Sequence, residues 1–273
     1  MAPPPELLED LVEEALIRCP PDDPARLVRA ALVCKQWCRV VSGAGFRRRY
    51  RQLHGSPPVL GFFHLRDDAT HFMPTTSFRP RPATLPTIRD WHLMDARHGR
   101  ALFREAVSSH CLHVSNPITG ESRKLPTLLL PSTPANLTAA LLCTTDGCDH
   151  LDCPSGPFMV VRLVTDGFMN TTARVYSSET ATWSETASNA VHPQFPLFSG
   201  TLAGDALYYL LSGTARILGY DVGKHELSVV RLPSKCYAHC LTSEDGALGF
   251  ATMQDEKLHM WSREACQNGW EWC

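Results

Sequence analysis

The chain has 273 residues and a mass of 30.3 kDa, enough for one or two domains with a substantial core. Hydrophobic residues make up 44% and charged residues 20%, and 26 basic residues nearly balance 28 acidic ones. That balance excludes a global electrostatic attraction to nucleic acid or to an anionic membrane. No apolar run reaches the ~18–20 residues of a membrane span, and Met1-Ala2-Pro3-Pro4-Pro5-Glu6 lacks the basic-then-apolar order of a secretory signal. The 11 cysteines are odd in number and irregular in spacing, so they read as reduced thiols of a cytoplasmic or nuclear protein.

In chain order, Leu7, Leu8, Leu11, Val12, Ala15 and Leu16 recur at helical spacing, with Glu9, Asp10, Glu13 and Glu14 on the other side. Cys19-Pro20-Pro21 stops that helix. Asp23 as N-cap and Pro24 in the first turn predict a second helix, with Leu27, Val28, Ala31 and Leu32 as its apolar stripe. Val33, Trp37, Val40 and Val41 continue the spacing into a third helix or a bent continuation, ended by Ser42-Gly43-Ala44-Gly45. Phe46 to His54 makes one more short basic helix, closed by Gly55.

Beyond Gly55 the pattern becomes β, with short β-branched and aromatic runs between Gly, Pro, Asn and Asp turns. Such runs are Val59 to His64, Phe158 to Val164, Ala173 to Tyr176, Ala206 to Leu211, Ile217 to Tyr220, Ala247 to Ala251 and Leu258 to Trp261. A weak repeat couples an apolar strand, a polar turn and a return strand. Its copies are Cys111–Asn116 with Arg123–Pro126, Ala173–Ser177 with Trp183, Ile217–Asp221 with Val230–Pro233, and Leu258–Ser262 with Gly269-Trp270. The last three lie ~40–45 residues apart, the scale of a four-stranded propeller blade. The longer first interval is assigned to an insertion at Pro126 to Gly156, and the chain is read as stopping in mid strand pair, without a closing strand. The expected fold is α+β: a three-helix unit over residues 3–54, then a mostly antiparallel all-β, incomplete propeller-like domain over 55–273, truncated at its C-terminus.

Arg18-Cys19-Pro20-Pro21-Asp22-Asp23-Pro24-Ala25-Arg26-Leu27-Val28-Arg29-Ala30, followed by Leu32-Val33-Cys34-Lys35-Gln36-Trp37, resembles the F-box motif. The Pro-Pro-Asp-Asp-Pro-Ala variant and Val59-Leu60-Gly61-Phe62-Phe63 are similar to the large F-box families of grass plants, whose members carry a degenerate kelch-like, F-box-associated β-propeller. Family members usually open with Leu-Pro, where Leu8-Glu9 stands in this chain. The resemblance implies that the helical unit binds a Skp-type adaptor and, through it, a cullin, while the β-domain holds an unknown protein substrate for ubiquitin conjugation. By position it implies Leu8, Leu11, Val12, Leu16, Pro20, Leu27, Val33, Cys34 and Trp37 as adaptor-binding residues. A helical unit of ~50 residues cannot bury its whole apolar stripe, which also argues for a partner. Trp37 suits either an interface anchor or the unit's own core.

Other motifs have plainer readings. Cys143, Cys148, His150 and Cys153 supply four N/S donors. Structural zinc sites commonly use two close pairs flanking a longer loop, however, so these residues read as a surface insertion and no metal is expected. Cys34 with Cys38, and Cys236 with His239 and Cys240, read as packing residues. Arg47-Arg48-Arg49-Tyr50-Arg51 reads as the solvated face of a helix offset by the acidic first helix, not a nucleic-acid contact. Arg79-Pro80-Arg81-Pro82 and Thr127 to Asn136 read as loops between blades. Motifs for a nucleophile elbow, a phosphate loop, a dinucleotide or a zinc protease are missing. The expected function is therefore a non-enzymatic, cofactor-free adaptor of a Skp–cullin–F-box ubiquitin ligase. The alternatives are an inactive or sequestering F-box fragment and a propeller-fold enzyme.

Overall fold

A computed structural model describes residues 9–21, 23–55, 59–66, 69–76, 79, 91–106, 110–129, 136–145, 148, 150, 153, 156–166, 170–190, 200–211, 214–232, 238–242, 246–254, 256–266 and 269–272. By backbone contacts the chain divides into Met1–His64 with Phe72–Arg79, and Leu65–His71 with Pro80–Cys273. Among the described residues, no helix is long and apolar enough to cross a membrane.

Among its described residues the first unit holds four helices, α1 (Glu9–Leu16), α2 (Pro24–Ala31), α3 (Lys35–Ser42) and α4 (Ala44–His54), the last being the short basic helix expected over Phe46 to His54. Val12, Leu16, Ile17, Ala30, Val40 and Phe46 form its core, with Leu27, Trp37, Val41 and Tyr50 packed partly against it. Tyr50 Oη donates to the Cys19 carbonyl at 2.7 Å, tying α4 to the stop of α1. Asp23 stands at the N-cap of α2 but makes no capping hydrogen bond, because its carboxylate takes Arg26 Nε at 3.0 Å instead. Val33 belongs to the turn between α2 and α3, whose N-cap is Cys34. Chain β1 (Gly61–Arg66) and β2 (Ala69–Pro74) form a two-stranded sheet.

Among the described residues, four antiparallel sheets of four strands follow, each built from strands in chain order. The first contains β3 (Trp91–Arg97), β4 (Arg100–Glu105), β5 (Leu112–Ser115) and β6 (Ser122–Lys124). The second contains β7 (Asn136–Cys143), β8 (Phe158–Thr165), β9 (Asn170–Ser177) and β10 (Thr182–Ala190). The third contains β11 (Thr201–Ala203), β12 (Ala206–Leu211), β13 (Arg216–Asp221) and β14 (Glu226–Arg231). The fourth contains β15 (Ala238–Thr242), β16 (Leu248–Gln254), β17 (Lys257–Cys266) and β18 (Gly269–Trp272). The architecture is α+β with a propeller-like β region, and no sheet among the described residues closes into a barrel.

The sequence repeat corresponds to the third and fourth strands of each sheet: β5–β6, β9–β10, β13–β14 and β17–β18. Two expectations are corrected. The segment read as an insertion contains β7, the strand paired with β8 along its whole length. Gly269–Trp272, read as an interrupted pair, is β18, hydrogen-bonded to β17.

Alternation along each strand assembles the stack, because successive side chains point to opposite faces. Ala139 and Leu141 of β7 join Met94, Leu102, Leu112 and Val114 of the first sheet, while Ala140 and Leu142 join Leu207, Tyr209, Leu218 and Tyr220 of the third. Ile217 on the opposite face of β13 packs with Leu248 and Phe250 of the fourth. Sheets buried on both faces explain near-continuous apolar strands such as Phe158-Met159-Val160-Val161. Outer strands β6 and β14 are mostly exposed, and β6 is wholly polar.

Polar links join neighbouring sheets. The carboxylate of buried Asp95, at a bulge in β3, accepts Leu141 N–H of β7 at 2.8 Å and pairs with Arg97 Nε at 3.0 Å. Arg97 Nη2 donates in turn to the Gly200 carbonyl ahead of β11. Burial pushes the Asp95 carboxyl up, and the charge of Arg97 and the Leu141 and Ala96 N–H groups pull against it. Trp183 of β10 donates Nε1–H to the Pro126 carbonyl, and Trp272 of β18 to the Arg231 carbonyl, each at 2.8 Å.

The turns after the third strands of the first three sheets share one construction. Asn116, Ser177 and Asp221 each accept a backbone N–H two or three residues ahead on the side chain. Four residues after each, Gly120, Ala181 and His225 take left-handed φ values of 89°, 56° and 57°. Only Gly120 occupies that region without a Cβ penalty.

Candidate functional site

The helical unit separates the expected adaptor-binding residues into two groups. Val12 and Leu16 are 3% and 7% exposed and belong to the unit's own core, so they are closed to a partner while the unit is folded. Leu27 and Trp37 pack partly against that core, and Pro20 is half-buried. Leu11, at 56%, and Val33, at 64%, face solvent, as does Cys34. Leu8 lies outside the described residues.

Two exposed apolar residues escaped the sequence reading of this surface. Val28, at 58%, and Leu32, at 79%, lie one turn apart, on α2 and at its C-cap. They were visible as half of the Leu27, Val28, Ala31, Leu32 stripe, but spacing does not say which half of a stripe turns inward. With Val33 and Cys34 they form a run along the end of α2 and the α2–α3 turn. Burying such side chains is worth roughly 1.5–3 kcal/mol each, which a unit with so small a core leaves unused.

Cys34 and Cys38, read as packing residues, are both exposed. Cys236 lies outside the described residues. The basic run of α4 behaves as expected toward the acidic helix. Arg49 pairs with Glu13 at 2.8 Å and also with Glu14, and those two carboxylates hold its guanidinium above the ordinary range.

In the β unit, a cleft of about 490 Å³ is lined by Arg100, Asn116, Glu121, Arg123, Phe158 and Glu179, among others. Arg100 and Arg123 lie over the Phe158 ring at 4.8 and 5.9 Å from its centroid. Gly156 and Pro157 form part of its wall, and Arg100 Nη2 donates to the Gly156 carbonyl.

Next to that wall the fold brings together Cys143, Cys148, His150 and Cys153, whose ligand atoms all lie within 4.8 Å of one another. Cys143 ends β7 opposite Phe158, and the other three stand on the β7–β8 connection. Burial acts to raise the Cys143 thiol, but the Thr145 hydrogen bonds and those from Cys153 and Cys148 outweigh it and bring the thiol below its ordinary value. Burial, then the hydrogen bonds and charges of Cys143 and Cys148, push Cys153 up to about 12. The sequence reading, judging by spacing, expected no such convergence.

The F-box domain family model matches residues 5–49. None of the curated proteins matches the chain. Among solved structures, TolB from Acinetobacter baumannii is similar at 15% identity with a TM-score of 0.47, over 85% of this chain and 58% of that one. YCF48 bound to D1 peptide is similar at 8% identity with a TM-score of 0.39, over 74% and 56%. The chain thus spans less than two thirds of either structure's length.

Proposed function

We propose that this chain, which carries an F-box domain at residues 5–49, is the substrate-recruiting subunit of a Skp–cullin–F-box ubiquitin ligase. The helical unit, residues 3–54, docks on a Skp-type adaptor and through it on a cullin. The β-domain, residues 55–273, holds a protein substrate, with the Arg100–Arg123 cleft as the natural seat for one of its side chains. Holding the substrate on the ligase makes ubiquitin transfer effectively intramolecular, so the chain contributes proximity and other subunits contribute the chemistry. The setting is the cytoplasm or the nucleus.

The observation that carries this reading is the apolar run Val28, Leu32 and Val33 on the matched segment, exposed although the unit has a core of its own. Full desolvation of such a run by a partner gives the interface its apolar centre.

Co-purification of the full chain with a Skp-type adaptor tests it, comparing wild type with Leu32→Asp and Val33→Asp. Both side chains are exposed, so either charge should leave the helical content unchanged and weaken the complex by roughly 30-fold. A folded wild-type chain that does not bind the adaptor, or a complex indifferent to both variants, would remove the reading.

A further inference from the structure

We propose that Cys143, Cys148, His150 and Cys153 form a tetrahedral zinc site that staples the connection between β7 and β8. The argument starts from the connection itself. It runs from residue 144 to residue 157 between strands paired up to Cys143 and Phe158. None of its described residues lies in a helix or strand, and a connection of that length is uncommon in a compact domain unless something else orders it. Thr144 N–H donates to the Pro157 carbonyl at 3.3 Å, closing the base, while Cys148 N–H to Thr145 and Gly156 N–H to Cys153 make local turns.

Zinc requires four N/S donors at about 2.0–2.3 Å, which places neighbouring donors of a tetrahedron roughly 3.5–3.8 Å apart. The four atoms here lie within 4.8 Å of one another, and Cys153 Sγ and His150 Nδ1 are already at 3.9 Å. Contraction of about 1 Å in a connection anchored at one strand end completes the geometry.

The surroundings suit the bound form. Thr145 N–H points at Cys143 Sγ and His150 N–H at Cys148 Sγ, each at 3.4 Å, and such donors favour thiolate over thiol. The ring of His98 lies 4.2 Å from that of His150, centroid to centroid, and limits where the imidazole can go. On binding, the three thiol protons pass to solvent and His150 coordinates as neutral imidazole through Nδ1. Zn²⁺ with three thiolates carries a net charge of −1. The buried Arg100 guanidinium, which interacts electrostatically with Cys153 and Cys143, supplies the opposite charge and has Nη1 without a hydrogen-bond partner.

The test uses the full chain purified under reducing conditions. Elemental analysis should find one zinc per chain. Replacement by Co²⁺ should give thiolate-to-metal charge transfer and the d–d bands of a tetrahedral ion. Cys148→Ser and His150→Ala, in the connection rather than in a strand, should weaken zinc by roughly tenfold or more with the β fold retained by circular dichroism. His150→Cys should keep the metal and shift the cobalt spectrum, and Cys34→Ser should change neither. A folded, reduced chain that binds no Zn²⁺, a stoichiometry unaffected in the Cys148→Ser/His150→Ala double variant, or a disulfide among these cysteines in the chain under reductant would overturn the site. None of these readouts involves the adaptor, so they stand apart from the ligase reading.

Discussion

The helical unit and the β unit dispose of their apolar residues in opposite ways. Four short helices enclose six core residues and leave Leu11, Val28, Leu32 and Val33 in solvent. The second and third β sheets place both faces of their inner strands against neighbouring sheets, so little apolar surface is left over there. Among the described residues, the fourth sheet resembles the helices in this respect. Phe250 turns toward the third sheet, while Met253, Leu258 and Met260, on the opposite face, stay exposed. Exposure of a large apolar side chain thus separates residues that a unit needs for itself from residues available to something else, a distinction that hydropathy alone does not make.

The comparison predicts that each unit can be damaged separately. The largest effect is expected at Asp95. Asp95→Ala leaves Leu141 N–H and Arg97 without their shared partner in a buried setting, and should cost about 3–5 kcal/mol in urea unfolding of the β signal. Adaptor binding should survive it, and loss of that binding would show that the units are not separable.

Phe46→Ala should cost about 3–4 kcal/mol, a large fraction of what so small a core can supply. Loss of helical ellipticity together with adaptor binding is the expected reading, with the β signal unchanged. Leu32→Asp sharpens the contrast, since it should move stability by less than about 0.5 kcal/mol while lowering adaptor affinity by about 2 kcal/mol, roughly 30-fold in titration calorimetry. The smallest effect concerns the repeated turns. Ala181→Gly should raise stability by about 0.5–1 kcal/mol, because it gives the second turn the residue that the first already has at its left-handed position. A thermal midpoint lowered by that variant would contradict the shared turn construction.

Much of this was legible in advance, for definable reasons. All seven apolar runs named as strands coincide with observed strands, because β-branched residues between turn-forming ones leave the backbone few alternatives. The repeat was visible because Asn116, Ser177 and Asp221 begin turns of the same chemistry. Strands β3 and β4 were missed, since Arg97, Arg100 and Arg104 interrupt the apolar pattern while Asp95 and Arg97 serve as links between sheets.

What the sequence determined by itself was therefore local: the helices and their proline and glycine stops, the alternation of the strands, the turn chemistry and the F-box resemblance. Tertiary structure alone decided which side of the α2 stripe is buried, which turned Val12 and Leu16 into core and Val28 and Leu32 into surface. It also brought Cys153 to Cys143 across a hairpin connection. The physical reason is the same in both cases. Periodicity specifies the direction of a side chain relative to its own backbone, whereas burial and ligand convergence depend on what the rest of the chain places opposite it.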